Sequence, residues 1–239
     1  MRILRRSDLR FLPKLEWLID GVIPDQSLGC IWGKPESFKS FLGISMACAI
    51  STGEDWLGHP VKKVPVLYVV AEGLLDFNSR IEGWEKRYTE EVGDELAIIG
   101  HSVHFGDDNQ VSDFLNSVNT IGFQPGLICV DTWSRCLGGV EENNASSVEG
   151  VLRNLERIKG ELGCGILVVH HGARTTGEMR GSIALKGALD YEYEARREDG
   201  SACVWMNCRK FKSAKHPAGM EVRMEPSGDS LVAVSPVKR

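Results

Sequence analysis

The 239 residues predict an α/β fold: a twisted, mostly parallel sheet with helices on both faces and an antiparallel hairpin extension after it. Three observations predict it. Short apolar runs recur at 28–32, 64–71, 127–130 and 165–170, the pattern of strands buried on both faces. Segments of helical character separate them, at 39–52, 74–88, 111–121 and 146–161, the alternation that builds a parallel sheet. Beyond residue 190, segments 191–195, 202–208 and 221–224 alternate in polarity, as antiparallel strands do.

Each element follows from local chemistry. Residues 15–24 (LEWLIDGVIP) lead into the first strand, LGCIW. The next helix is apolar throughout 41–50 (FLGISMACAI), and Thr52-Gly53 ends it. The turn-rich EDWLGHPVKK connects to VPVLYVVA at 64–71. A helix at 74–88, a short strand at 102–105 and a helix at 111–121 follow. After LICV at 127–130, a polar loop runs to about Asn144; a second fills 171–183, behind the strand 165–170. The length suits one domain, with a core over about 15–215 and short extensions.

Composition narrows the setting. No apolar run approaches the roughly 18–20 residues that span a bilayer, and the basic N-terminus lacks the apolar core of a signal peptide. No membrane partner is expected. Seven cysteines without a C-x-x-C pair fit a reducing cytoplasm rather than a disulfide framework. The net charge of −5 argues against a chain-wide grip on nucleic acid. It leaves room for local basic clusters, at Arg2, Arg5, Arg6 and Arg10 and at Arg209, Lys210, Lys212 and Lys215.

Three strand ends carry the chemistry. Residues 33–40, GKPESFKS, follow the phosphate-binding pattern G-x-x-x-x-G-K-[ST], with Phe38 in place of the second glycine. Lying between strand and helix, the loop offers backbone N–H groups to phosphates from Gly33, Lys34, Pro35, Glu36, Ser37, Phe38, Lys39, Ser40 and Phe41, proline excepted. Lys39 would reach the β/γ oxygens and Ser40 a Mg²⁺ ion. Glu72 directly follows the second strand, where a carboxylate can orient an attacking water. Asp131 ends LICVD, placed to hold Mg²⁺ with Ser40. His170 and His171 end the strand ILVVHH. Adjacent strand residues face opposite ways and no third ligand lies at metal spacing, so they do not read as a paired metal site; His101 with His104 is equally unsupported. One of the two, His170 or His171, would instead contact the γ-phosphate or its water.

The phosphate loop, Glu72, Asp131-Thr132 and His170-His171-Gly172 together resemble the RecA-like ATPase core. More narrowly they are similar to RepA-type hexameric replication helicases of plasmids and phages. The likeness includes DTWSRCLGG at 131–139 and RGSIALKGALD at 180–190, and spans about 15–215. It implies ATP and Mg²⁺ as ligands, Glu72 as base, Asp131 as metal ligand, and Arg80 against the adenine. It also implies a homo-oligomer, a hexameric ring, in which a neighbour supplies a basic finger to each site: Arg209, Lys210 or Lys212. The segment 172–183, with Arg174 and Arg180, would face single-stranded DNA. The chain departs from the family at Glu36 and Phe38, where relatives carry glycine; a left-handed backbone there costs an L-residue roughly 1–2 kcal/mol. The implied function is a DNA-bound ring motor of helicase type. A bare-core recombination or annealing ATPase, and a regulatory ATPase without nucleic acid, are alternatives; the acidic charge favours the last.

Overall fold

A computed structural model describes residues 5–11, 14–173, 177–212 and 214–236. Along β4 (Val66–Val70), Val66, Tyr68 and Val70 enter one core while Leu67 and Val69 enter another, because successive strand side chains point to opposite faces. Both faces of the central sheet are therefore covered. On the first lie α1 (Lys39–Thr52) and α2 (Leu74–Tyr88); on the second lie α3 (Asp108–Thr120), α4 (Ala145–Leu162) and the short α5 (Ile183–Ala188). Helices on both faces are what the continuous apolar strands require.

Before this sheet, β1 (Trp17–Ile19) and β2 (Ile23–Pro24) pair as a small separate hairpin. Among the described residues nine strands form the main sheet. Besides β4 these are β3 (Leu28–Gly33), β5 (Leu96–Ile99), β6 (Leu127–Asp131), β7 (Gly165–His171), β8 (Tyr191–Arg197), β9 (Cys203–Phe211), β10 (Met220–Ser227) and β11 (Ser230–Val234). Their order is β11-β10-β9-β8-β3-β7-β6-β4-β5. The pairs from β8 through β3, β7, β6 and β4 to β5 are parallel; those from β8 to β11 are antiparallel. The expected α/β architecture with its antiparallel extension is present, in a RecA-like arrangement.

Four local expectations need correction. The strand expected at 102–105 is a loop; the strand is β5, immediately upstream. Val103 and Phe105 are apolar because they cover the second core from that loop. The leading segment 15–24 contains the β1–β2 hairpin, the loop expected over 171–183 gives way at its end to α5, and β11 extends the sheet past the three expected strands. Strand β11 folds back on α1 and α2, which explains why α1 is apolar on nearly every side.

In a parallel sheet, ligands collect beyond the carboxyl ends of the strands. Register sets the level there: Gly33 pairs with His171 and Trp32 with His170, while Val70 pairs with Asp131.

Candidate functional site

The loop 33–38 turns sharply between β3 and α1. A Cβ at Gly33 would stand 2.3 Å from Ala195 O and 2.6 Å from Ser37 Oγ, so only glycine fits. Glu36 and Phe38 adopt φ 63° and 62°, the left-handed region that glycine favours. Phe38 is also the N-cap of α1 and gives its first turn no side-chain acceptor. By contrast Asp107 caps α3 and Asn144 caps α4. The first-turn N–H groups of α1 thus lack a side-chain cap and suit an anionic oxygen.

Lys39 is buried at the centre of this turn. Its Nζ donates to Lys34 O at 2.5 Å and lies 3.4 Å from Ser37 Oγ. Burial pulls its pKa down to about 8, opposed by the nearby Asp131 carboxylate. Asp131 is buried at the end of β6, and desolvation raises its pKa while hydrogen bonds from Ser40 and Tyr68 resist that rise. Tyr68 OH donates to its Oδ2 at 3.1 Å. A desolvated carboxylate beside the Ser40 hydroxyl is a hard-oxygen pair suited to Mg²⁺. Two protein ligands leave the remaining positions to phosphate and water oxygens, as this ion prefers.

Glu72, exposed just beyond β4, is held from β6's continuation. Thr132 Oγ1 donates to its Oε1 at 3.1 Å and Arg135 Nε to its Oε2 at 3.2 Å. A cleft of about 440 Å³ joins it to Pro35, Glu36 and Phe38 of the loop, to Lys39, Ser40 and Phe41 of α1, and to Arg80 of α2. His171, Thr132 and Arg197 complete its lining. The guanidinium of Arg80 lies 4.6 Å from the Phe41 ring centroid.

The two histidines separate cleanly. His171 is half-buried in the cleft, and its buried Nδ1 has no hydrogen-bond partner among the described residues. His170 points away and is fully buried. Its Nε2 donates to Arg180 O at 2.8 Å and lies 3.1 Å from Glu142 Oε1, and burial pushes its pKa down to about 3, so the ring is neutral. Only His171 faces the cleft.

Other expected residues lie elsewhere. Gly33 and Lys34 border a neighbouring cleft of about 540 Å³ that also includes Arg209 and the end of β8. Ser37 is buried beneath the loop. Lys210 Nζ donates to Lys186 O and, at 3.1 Å, to Gly187 O; Lys212 Nζ donates to Ala188 O at 3.0 Å and Asp190 Oδ1 at 3.2 Å. Both lysines thus tie down the end of α5 in their own chain. Arg209 pairs with Glu194. Arg180 bonds Glu142 Oε2 at 2.7 Å, and Arg174 lies outside the described residues.

Sequence reasoning missed Tyr68, Arg135 and Arg197. Tyr68 carried a weak signal, as a hydroxyl inside an apolar strand; Arg197 carried none, since it meets Glu36 across 161 positions.

No curated protein matches the chain. A family model described as an AAA domain matches residues 4–177, more than two thirds of the chain and a span that holds the loop, Glu72, Asp131 and His171. A nucleotide-hydrolysing core is what such a domain supplies, and the chain belongs to the AAA domain family of P-loop ATPases.

Proposed function

We propose that the chain is a Mg²⁺-dependent ATPase that works as an oligomeric ring motor on single-stranded DNA. One observation carries the reading: Lys39, Ser40 and Glu72 line one cleft beyond the strand ends, and buried Asp131 is hydrogen-bonded to Ser40 at its edge. Backbone N–H groups of the loop and of α1 receive the phosphates. The Lys39 ammonium exchanges Lys34 O for β/γ oxygens. Glu72, held by Thr132 and Arg135, orients a water in line with the γ-phosphate. His171, whose ring lines the cleft, offers a ring nitrogen to that phosphate or water. Magnesium, when bound, neutralises charge developing on the transferred group.

Strand β7 runs from the cleft straight into the segment with Arg180, whose carbonyl is held by His170. A change at His171 is therefore one residue from a bond that positions this basic segment.

The test measures ATP hydrolysis with Mg²⁺, with and without a short oligonucleotide, in the parent and in Lys39→Ala. Hydrolysis that is lost in the variant and stimulated by DNA supports the reading. Unchanged turnover in Lys39→Ala removes the site; hydrolysis indifferent to DNA favours the regulatory ATPase. Strand displacement then separates a helicase from a recombination or annealing protein.

A further inference from the structure

Glu36 and Phe38 hold left-handed backbone that glycine adopts freely. Something outside the loop must favour it, and one residue touches both. Arg197, the last residue of β8, donates from Nη1 to Glu36 O at 2.9 Å. Its guanidinium carbon stands 4.1 Å from the Phe38 ring centroid. Its Nε donates to Ser201 O at 2.6 Å, anchoring the side chain in the β8–β9 turn. The strand itself is pressed against the loop, since Ala195 O blocks any Cβ at Gly33.

We infer that Arg197 is a positioning residue that clamps the phosphate loop, holding Glu36 and Phe38 in the left-handed backbone that their side chains disfavour. Phe38 supplies the ring face that the clamp grips. The role requires a planar fork that stacks on an aromatic while donating to two carbonyls; lysine, a single point charge, does one of these at a time. Its consequence for turnover rests on the ATPase reading. The clamp itself is a property of the loop and is read without nucleotide.

A clamp of this kind is needed only while side chains occupy the left-handed positions, so its removal couples to glycine substitution at 36 and 38. The experiment compares the parent, Arg197→Ala, the double variant Glu36→Gly/Phe38→Gly, and the triple variant. Each is melted without ligand and titrated with a fluorescent ATP analogue and Mg²⁺. In the parent background, Arg197→Ala should lower the melting temperature by about 3 °C and weaken analogue binding roughly tenfold. In the glycine background the same change should cost under about 1 °C and under about twofold. The glycine double variant should bind at least as tightly as the parent, and Arg197→Lys should fall between parent and alanine. Equal effects in both backgrounds, no effect in the parent, or weaker binding by the glycine double variant would each overturn the clamp. If the parent binds no analogue while the melts show the coupling, the ATPase reading fails and the clamp stands.

Discussion

Burial gives Lys39 a pKa of about 8 in place of the ordinary 10.5, and the sign of the consequence follows from linkage. Without a ligand Lys39 loses its proton as pH rises through about 8; polyphosphate beside it favours the ammonium and raises its pKa. Nucleotide binding at pH 8.5 should therefore take up most of a proton, against little at pH 7, and affinity should fall above pH 8. Calorimetry in buffers of different ionisation enthalpy measures this uptake, and equal uptake at both pH values would refute it. Folding stability runs the other way. Between about 8 and 10.5 the unfolded chain binds the extra proton, so the Lys39 contribution rises with pH in that window. Glu72 presents a different case, because its carboxylate lies outside the phosphate cradle. Glu72→Gln should leave nucleotide affinity within about twofold and slow hydrolysis roughly 10²–10⁴-fold, the range of a lost general base. Single-turnover kinetics separates the two effects, and parental turnover would assign the base elsewhere.

The β3–β8 pair shows how elements constrain residues. Gly29 sits opposite Tyr191, and a Cβ there would fall 1.8 Å from the ring's Cζ. Both residues are buried, so Gly29→Ala should destabilise the fold by about 3 kcal/mol through overpacking. Tyr191 OH is itself buried, and finds no hydrogen-bond partner among the described residues. Tyr191→Phe should thus stabilise by about 1 kcal/mol, raising the melting temperature by about 2–4 °C; a lower value would reveal a partner for the hydroxyl. Similar reasoning explains what the sequence could disclose. Strands β4, β6 and β7 were legible because burial on both faces leaves continuous apolar runs. Strand β5 was not, because it is an edge strand with Ile98 exposed, while nearby Val103 and Phe105 are more deeply buried without pairing. The β1–β2 hairpin and α5 are too short to show a period. At the site, the contiguous loop and the strand-end acids could be read directly. Alternation placed His170 and His171 on opposite faces, and only the packing of β7 shows that His171 takes the cleft. Arg197 depends on the sheet order that sets β8 beside β3, which no local pattern encodes.

At the scale of the whole molecule, a site completed by a neighbouring chain behaves differently from one completed within a single chain. Lys210 and Lys212 are tied to the carbonyls that end α5, and a lysine acting as a finger in a neighbour's site would have to leave those contacts. Two causes of inactivity in Lys210→Ala/Lys212→Ala then make opposite predictions on mixing. A lost finger is a defect of the neighbour's site, so a partner with intact lysines repairs it. A loosened α5 is a defect within the chain and stays with every copy that carries it. Mixing the double variant with Lys39→Ala creates interfaces where an intact phosphate loop meets intact lysines. We expect hydrolysis under DNA-stimulated conditions to return in part, since a finger contributes roughly 10³–10⁵ in rate and even a few repaired interfaces rise above two inactive parents. Mass in solution with ATP analogue and oligonucleotide should show a closed oligomer in the same mixture. Activity no greater than the sum of the separate proteins, in a mixture that does assemble, would confine these lysines to their own chain. Normal hydrolysis by the double variant alone would exclude them as fingers and leave Arg209, whose charge can be removed without touching α5, as the candidate to replace with alanine in the same mixing experiment.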